Sequence, residues 1–263
     1  MSRFIINFNE ELASASNSDV TGFNVSGFSA AVVDPLLPDR TSSSVGIDWY
    51  QSGGSSSSSS EKSVVLSLRS GFLSPSASLQ IKYVDPGAGN LNALKDLAGN
   101  HAGNMVLGAW TNDILSADDG ANFTAGKSVL VVGGQGNDTM TGGLANDTFA
   151  WFLGDAGAMG AVDIVKGFVP LAGTTGDKLD ILKLLSGYTS GTSILSQWVT
   201  SVTTAQTSPG GVANSTRIVI DPDSTTGSGT ATQTIWLEGV NLTLTGANLD
   251  AQLTNLKTGV LIA

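Results

Sequence analysis

Between Val132 and Trp151 the chain reads VGGQGNDTMTGGLANDTFAW, and these residue types suit the capture of a hard cation. Two nine-residue units, Gly133 to Thr141 and Gly142 to Ala150, follow one another without a gap; a glycine pair, an Asn-Asp and an apolar residue recur in each at the same offsets. Calcium takes roughly six to eight oxygens at about 2.3–2.6 Å, more than the carboxylates of Asp138 and Asp147 can supply. Gly133, Gly136 and Gly142 make up the difference in principle, because glycine tolerates positive φ and lets the main chain offer its carbonyls. The Thr-Met and Thr-Phe that follow each Asp read as short strands with the apolar side chain pointing inward. Gly-Gly and Asn-Asp are also ordinary turn residues, but a tandem match is far more specific than a single one. The second unit departs from the first in carrying Ala145 where the first has Gly136, which weakens the turn without removing its Asp.

The pattern resembles the nonapeptide G-G-x-G-x-D-x-U-x of repeats-in-toxin proteins. That resemblance implies a calcium-binding parallel β-roll, in which successive units alternate sides of a flattened right-handed coil. Gly108 to Ser116, GAWTNDILS, is a degenerate unit that keeps the Asn-Asp-x-apolar core, so Asp113 is expected to help ligate a cation in an upper turn. An insertion before Gly133 breaks the strict period.

Composition agrees with a cation-binding exterior. Of 263 residues 13% are charged, yet the net charge is −10, which argues against nucleic acid as a partner, since nucleic acid selects basic faces. With no cysteine, disulfides and thiolate metal sites are excluded, and a chain rich in Gly, Ser, Thr and Asn reads as an extracellular product stabilised by calcium instead. No run of about 18 apolar residues could make a membrane span. Met1-Ser2-Arg3 leads directly into Phe4-Ile5-Ile6 without a secretory h-region, so an export address is expected elsewhere.

Residues 1 to 106 read as an all-β domain. Phe4-Ile6-Phe8, Phe23-Val25, Val45-Ile47-Trp49, Val64-Leu66-Leu68 and Leu79-Ile81-Tyr83 alternate apolar and polar residues between turn-forming stretches, the pattern of strands in a sandwich. Gln51 to Ser60, QSGGSSSSSS, reads as a mobile hairpin tip. The segments FNEEL from Phe8, FNV from Phe23, IKYVDP from Ile81 and NALKDLAGN from Asn92 resemble bacterial Ig-like repeats of motility and adhesion proteins. Such repeats usually open with one more strand than this chain contains. A missing strand would leave an edge that a second copy could complete, so a homo-oligomer or filament is expected.

From Asp147 onward, DTFAWFLGDAG, AVDIVKGF from Ala161, GDKLDILKLL from Gly176, QTIWLEGV from Gln233 and the final LIA resemble the C-terminal target domain of type I secreted adhesins. The resemblance implies export by the type I secretion machinery with an uncleaved C-terminal signal, and residues 107 to 263 as a β-roll extended into a small sandwich. Asp155, Asp163, Asp177 and Asp180 are carried over on this basis as further calcium ligands. Asp221-Pro222-Asp223 reads as a plain turn. Leu179 to Leu185, Ile194 to Val202 and Leu249 to Leu256 show helical apolar spacing and are expected to be capping helices.

Catalytic constellations are missing from this pattern. His101, the one histidine, sits beside Gly99-Asn100 without a GxSxG elbow, and zinc needs His or Cys clusters. Gly126-Lys127-Ser128 lacks the upstream glycine of a phosphate loop and runs into a strand, Val129 to Val132, rather than a helix. The sequence therefore points to a non-enzymatic, all-β, secreted protein with calcium as cofactor. Its expected role is structural or adhesive at the cell surface or in a matrix. The alternatives are a module binding a glycan or peptide surface ligand, with Trp49 and Tyr50 as stacking residues, and a secreted hydrolase.

Overall fold

The computed structural model describes residues 2–7, 28–33, 47–50, 63–68, 78–85, 94, 100–109, 111–117, 127–170, 175–224 and 231–262. The chain divides into two compact units, residues 1–104 and 105–263. Among the described residues their regular elements are strands, apart from one α-helix and one 3-10 turn in the second unit.

In the first unit β1 (Ser2–Asn7), β2 (Phe28–Val33), β3 (Ile47–Tyr50), β4 (Ser63–Leu68) and β5 (Ser78–Tyr83) are all antiparallel. β4 lies between β1 and β3, and β2 pairs with β5. Alternation in β5 buries Leu79, Ile81 and Tyr83; the Tyr83 hydroxyl accepts the Leu94 N–H at 2.9 Å, which ties the later segment to the strand. β2 falls after the expected Phe23–Val25 strand, and that expectation lies outside the described residues, as do the serine run and Asp118-Asp119. Of His101, the structure shows Nδ1 2.7 Å from an Asp85 carboxylate oxygen.

The second unit begins with β6 (Asn104–Leu107), β7 (Ile114–Ser116), β8 (Val129–Val132), β9 (Thr139–Thr141), β10 (Thr148–Ala150), β11 (Ala161–Lys166) and β12 (Lys178–Asp180). Successive strands alternate between two sheets. β6, β8, β10 and β12 are neighbours in one, and β7, β9 and β11 in the other. Pairing along β8, β10 and β12 and along β7, β9 and β11 is parallel, so the chain winds as a coil. The coil step is legible in the register. Leu130 pairs with Thr148, eighteen residues on, which is two nonapeptides. In the other sheet Ile114, Thr139 and Ile164 stand twenty-five residues apart, the surplus absorbed by longer connections. Every short strand points its central residue inward, which stacks Leu115, Met140 and Val165 in one sheet and Val131, Phe149 and Leu179 in the other, all fully buried.

The parallel sheet of β7, β9 and β11 continues into β15 (Gln233–Leu237), then turns antiparallel through β14 (Ser215–Ile220) and β13 (Val199–Gln206). β16 (Leu261–Ile262) pairs with β12. α1 (Leu249–Lys257) forms where the spacing predicts it: the Asn248 side chain caps it by accepting the Ala251 N–H, and Leu253 and Leu256 are buried. The other two expected helices do not form. Leu179 belongs to β12 and residues 182–187 are turns, because parallel pairing with β10 places Leu179 in the core. Residues 195–197 make one 3-10 turn before β13, where Val199 and Val202, three residues apart, are both buried because the pairing with β14 shifts register between Val199 and Ser201. Among the described residues no helix is long and apolar enough to cross a membrane.

This layering sets the cost of core changes. Leu179→Ala, at a wholly buried position, is expected to lose about 2–5 kcal/mol in urea unfolding. Leu144→Ser, at a side chain 86% exposed, should stay within about 0.5 kcal/mol of the parent.

Candidate metal centre

Asp113, Asp138 and Asp163 each immediately precede, or lie within, the strands β7, β9 and β11, one residue before the register partners Ile114, Thr139 and Ile164. They therefore point to the same inner face as Leu115, Met140 and Val165, and all three are at most 1% exposed. A row of buried carboxylates one strand spacing apart is costly unless each oxygen finds a donor. The main chain supplies much of that need. Asp138 Oδ1 accepts the Asp113 N–H at 2.7 Å, and Asp163 Oδ1 accepts the Asp138 N–H at 2.8 Å. Each carboxylate thus reaches to the backbone of the coil before it.

Asp147 and Asp177 build the matching row on the other flank, both at most 1% exposed. Asp147 Oδ1 accepts from Val129 N and its Oδ2 from Gly143 N; Asp177 Oδ1 accepts from Asp147 N and its Oδ2 from Val169 N, all between 2.6 and 2.9 Å. The asparagines before these aspartates form a second ladder. Asn112 Oδ1 accepts from Asn137 N, Asn137 Oδ1 from Val162 N, and Asn146 Oδ1 from Gly176 N, each at 2.8 Å. The sequence carried the signal, Asn preceding Asp in each unit, but only the register shows that the amide works between coils.

The upper end of the first row was not foreseen. Asp163 Oδ2 accepts from Trp151 Nε1 at 2.7 Å and from Gln233 Nε2 at 2.8 Å, so three N–H groups converge on one buried carboxylate. Trp151 directly follows the second nonapeptide and Gln233 lies seventy residues beyond Asp163, and no local pattern links the two.

Asp138 differs from its neighbours. Its Oδ2 is buried and has no hydrogen-bond partner among the described residues, whereas the same oxygen of Asp113 accepts the Ala109 N–H at 2.6 Å. The turn beneath is packed backbone on backbone. A side chain at Gly133 would collide with the Asp138 carboxylate, one at Gly134 with the Ala109 carbonyl, and one at Gly136 would meet the Thr111 oxygen at 2.5 Å. Gly134 and Gly136 have φ of 88° and 129°, values that residues bearing a Cβ rarely adopt. Main-chain oxygens of residues 109 and 111 thus face the glycines of the next coil.

The remaining candidates are held by other contacts. Gly142 donates its N–H to the Lys166 carbonyl at 2.9 Å. Asp155, in the turn after β10, uses Oδ2 to accept the Phe152 N–H at 2.7 Å, and the neighbouring Gly154 lies against Gln135. Asp180 accepts the Leu182 N–H at 3.1 Å and is partly buried. Among the described residues no three acidic or histidine side chains converge into a metal cage. Ions in this unit would have to be shared between carboxylates and the carbonyls of stacked turns, as calcium's high oxygen count requires. Residues 109, 111, 113 and 133–138 fit that need in part: they bring together the Asp138 Oδ2 that has no partner among the described residues and the Thr111 carbonyl beside Gly136, while the Ala109 carbonyl accepts the Gln135 N–H at 3.0 Å.

Burial dominates the electrostatics. It pushes the Asp138 carboxyl up to about 8, helped by the charges of Asp163, Asp113 and Asp155 and opposed by the Asp113 N–H. Asp163 rises to about 6 by burial, against the pull of the Asp138, Trp151 and Gln233 donors. Asp155 rises to about 6 for the same reason, opposed by the Phe152 N–H, and Asp177 rises too. A scan against protein-family models and a search of curated proteins find no match to this chain.

Two outcomes follow. Folded carboxyls raised above an ordinary value of about 3.9 contribute stability that is present below that value and lost as pH rises through the folded pKa. In chelator, the melting temperature should be highest near pH 4 and fall as pH rises from there, more steeply up to about 6 than between about 6 and about 8, where the loss from these groups is complete; a profile that stays level or climbs over that range would contradict it. Trp151→Phe removes one donor from buried Asp163 and should cost about 1–3 kcal/mol in chemical unfolding.

Proposed function

We propose that this is a secreted structural or adhesive protein of the cell surface or matrix whose second unit is a calcium-stabilised β-roll. The observation that carries the reading is the buried aspartate row of the coil, above all Asp138, whose outer oxygen faces a glycine turn without a donor. Asp163 and Asp138 take N–H groups rather than cationic side chains as their partners, so the negative charge of the row is dispersed but not cancelled. Calcium held by Asp113 and Asp138 together with turn carbonyls would cancel it. The chemistry the ion supplies is charge neutralisation and cross-linking of consecutive coils, and no bond-making step is involved. The role of the chain's own residues is to stack the turns, exclude water from the carboxylates and fix their register.

Export through a type I system is part of this reading. Its support is the run of segments from Asp147 that resembles the target domain of adhesins exported in that way, together with a folding requirement that calcium-poor cytoplasm would not meet. The antiparallel strands of the first unit support an Ig-like sandwich in front of the roll.

A melting curve tests the proposal directly. A ligand at a hundred times its dissociation constant adds about 2.7 kcal/mol per site, so millimolar calcium should raise the melting temperature by several degrees over chelator at pH 7.5. Magnesium should do much less, because it demands a smaller and more rigid shell. Superimposable curves in calcium and chelator would remove the reading.

A further inference from the structure

The two nonapeptides are not equivalent in three dimensions, although they are tandem in sequence. In the first turn Gly134 and Gly136 take positive φ and bring the carbonyls of residues 109 and 111 against the coil above. The second turn lacks the positive φ. Gly143 and Ala145, which stand at the same offsets, are absent from the positive-φ positions of the chain, so the main chain there does not flip as it does at residues 134 and 136. The carboxylates differ in step with the backbone. On the second flank all four oxygens of Asp147 and Asp177 accept a backbone N–H. On the first flank Asp138 Oδ2, on a residue 1% exposed, accepts none.

From this contrast, and resting on the calcium reading above, we infer that cation binding is one-sided: the turns 108–113 and 133–138 hold the ion, while the turn 142–147 with Asp177 is a hydrogen-bonded clasp that works without metal. An N–H aimed at a carboxylate oxygen offers it the positive end of a dipole and does in a fixed geometry what a cation would otherwise do. Where every oxygen has such a donor, an ion must displace or compete with bonds already made. Where one oxygen has none, the ion meets an unmet demand. Ala145 fits the same division, since an alanine resists the left-handed conformation that Gly136 adopts.

Calcium titration calorimetry and melting curves on the full chain, with Asp138→Asn and Asp147→Asn compared with the parent, separate the outcomes. Asp138→Asn is expected to abolish the heat of the tightest site and most of the calcium-induced rise in melting temperature. Asp147→Asn turns an amide NH₂ or a weaker acceptor toward backbone donors, so it should lower the melting temperature equally in calcium and in chelator and leave the rise and the stoichiometry unchanged. Should either variant fail to fold, Gly136→Ala and Gly142→Ala probe the same flanks. The first meets the Thr111 oxygen at a positive-φ position, and the second meets only the Phe149 ring edge at 3.2 Å and softer contacts beyond it. Equal loss of calcium response from both flanks, or loss from the Asp147 flank alone, overturns the one-sided assignment while leaving calcium binding itself intact. A parent chain that takes up no calcium overturns the reading beneath it as well.

Discussion

The second unit depends on one repeated bond, from a buried aspartate oxygen to the backbone N–H of the coil before it. Asp138 to Asp113, Asp163 to Asp138, Asp147 to Val129 and Asp177 to Asp147 are four instances of the same contact. Strand pairing alone does not specify how a turn should stack on its neighbour, because turn N–H groups fall outside the ladder of the sheet. An acidic side chain on the inner face satisfies such a group and locks the register of successive coils at once. The bond also fixes which residues can occupy the row. Val129 can stand at the start of the second row because it only donates, whereas every residue above it must also accept.

The same constraint explains why small residues crowd the turns. Coils one strand spacing apart leave no room for Cβ atoms at residues 133, 134 and 136, where the next backbone or the closing carboxylate already sits. Glycine gives up stability in the unfolded-state balance, and the return is a turn in which main-chain oxygens can face one another's coil. The result is a dense array of oxygens with few compensating cations, in a chain that spends little of its composition on Lys and Arg.

Much of this could be read from residue types. Tandem Gly-Gly-x-x-Asn-Asp units announce stacked turns, the degenerate unit at Gly108 announces a further one, and the eighteen-residue step of β8 and β10 is the nonapeptide doubled. Longer-range features could not be read. The helical spacing of Leu179 to Leu185 was misleading because parallel pairing with β10 decides the conformation of Leu179, and no local signal reports a partner thirty residues away. Trp151 and Gln233 meet at Asp163 only because β15 joins β11 across seventy residues of sequence. The difference between the two nonapeptides was half visible, in Ala145. Its consequence for hydrogen bonding required knowing that Gly143 and Val169 have N–H groups free to turn inward.

Buried acids in proteins are usually answered by arginine or lysine, and the answer is then present wherever the chain is. Here Asp138 and Asp163 are answered by N–H dipoles, which disperse charge without removing it. Whatever neutralises the remainder must come from solution, as a proton or as a metal ion. At neutral pH a carboxyl pushed up to about 8 still holds its proton much of the time, so the coil can close without metal but gives up margin as pH rises. A bound divalent ion would remove that dependence, because it would stay where a proton leaves. If calcium is that ion, stability is handed to the medium: the same sequence would be loosely held where calcium is scarce and firmly held where it is plentiful. On the export reading proposed above, a chain that crosses a channel unfolded and stands rigid outside would need no separate switch, since the aspartate row would itself be the sensor.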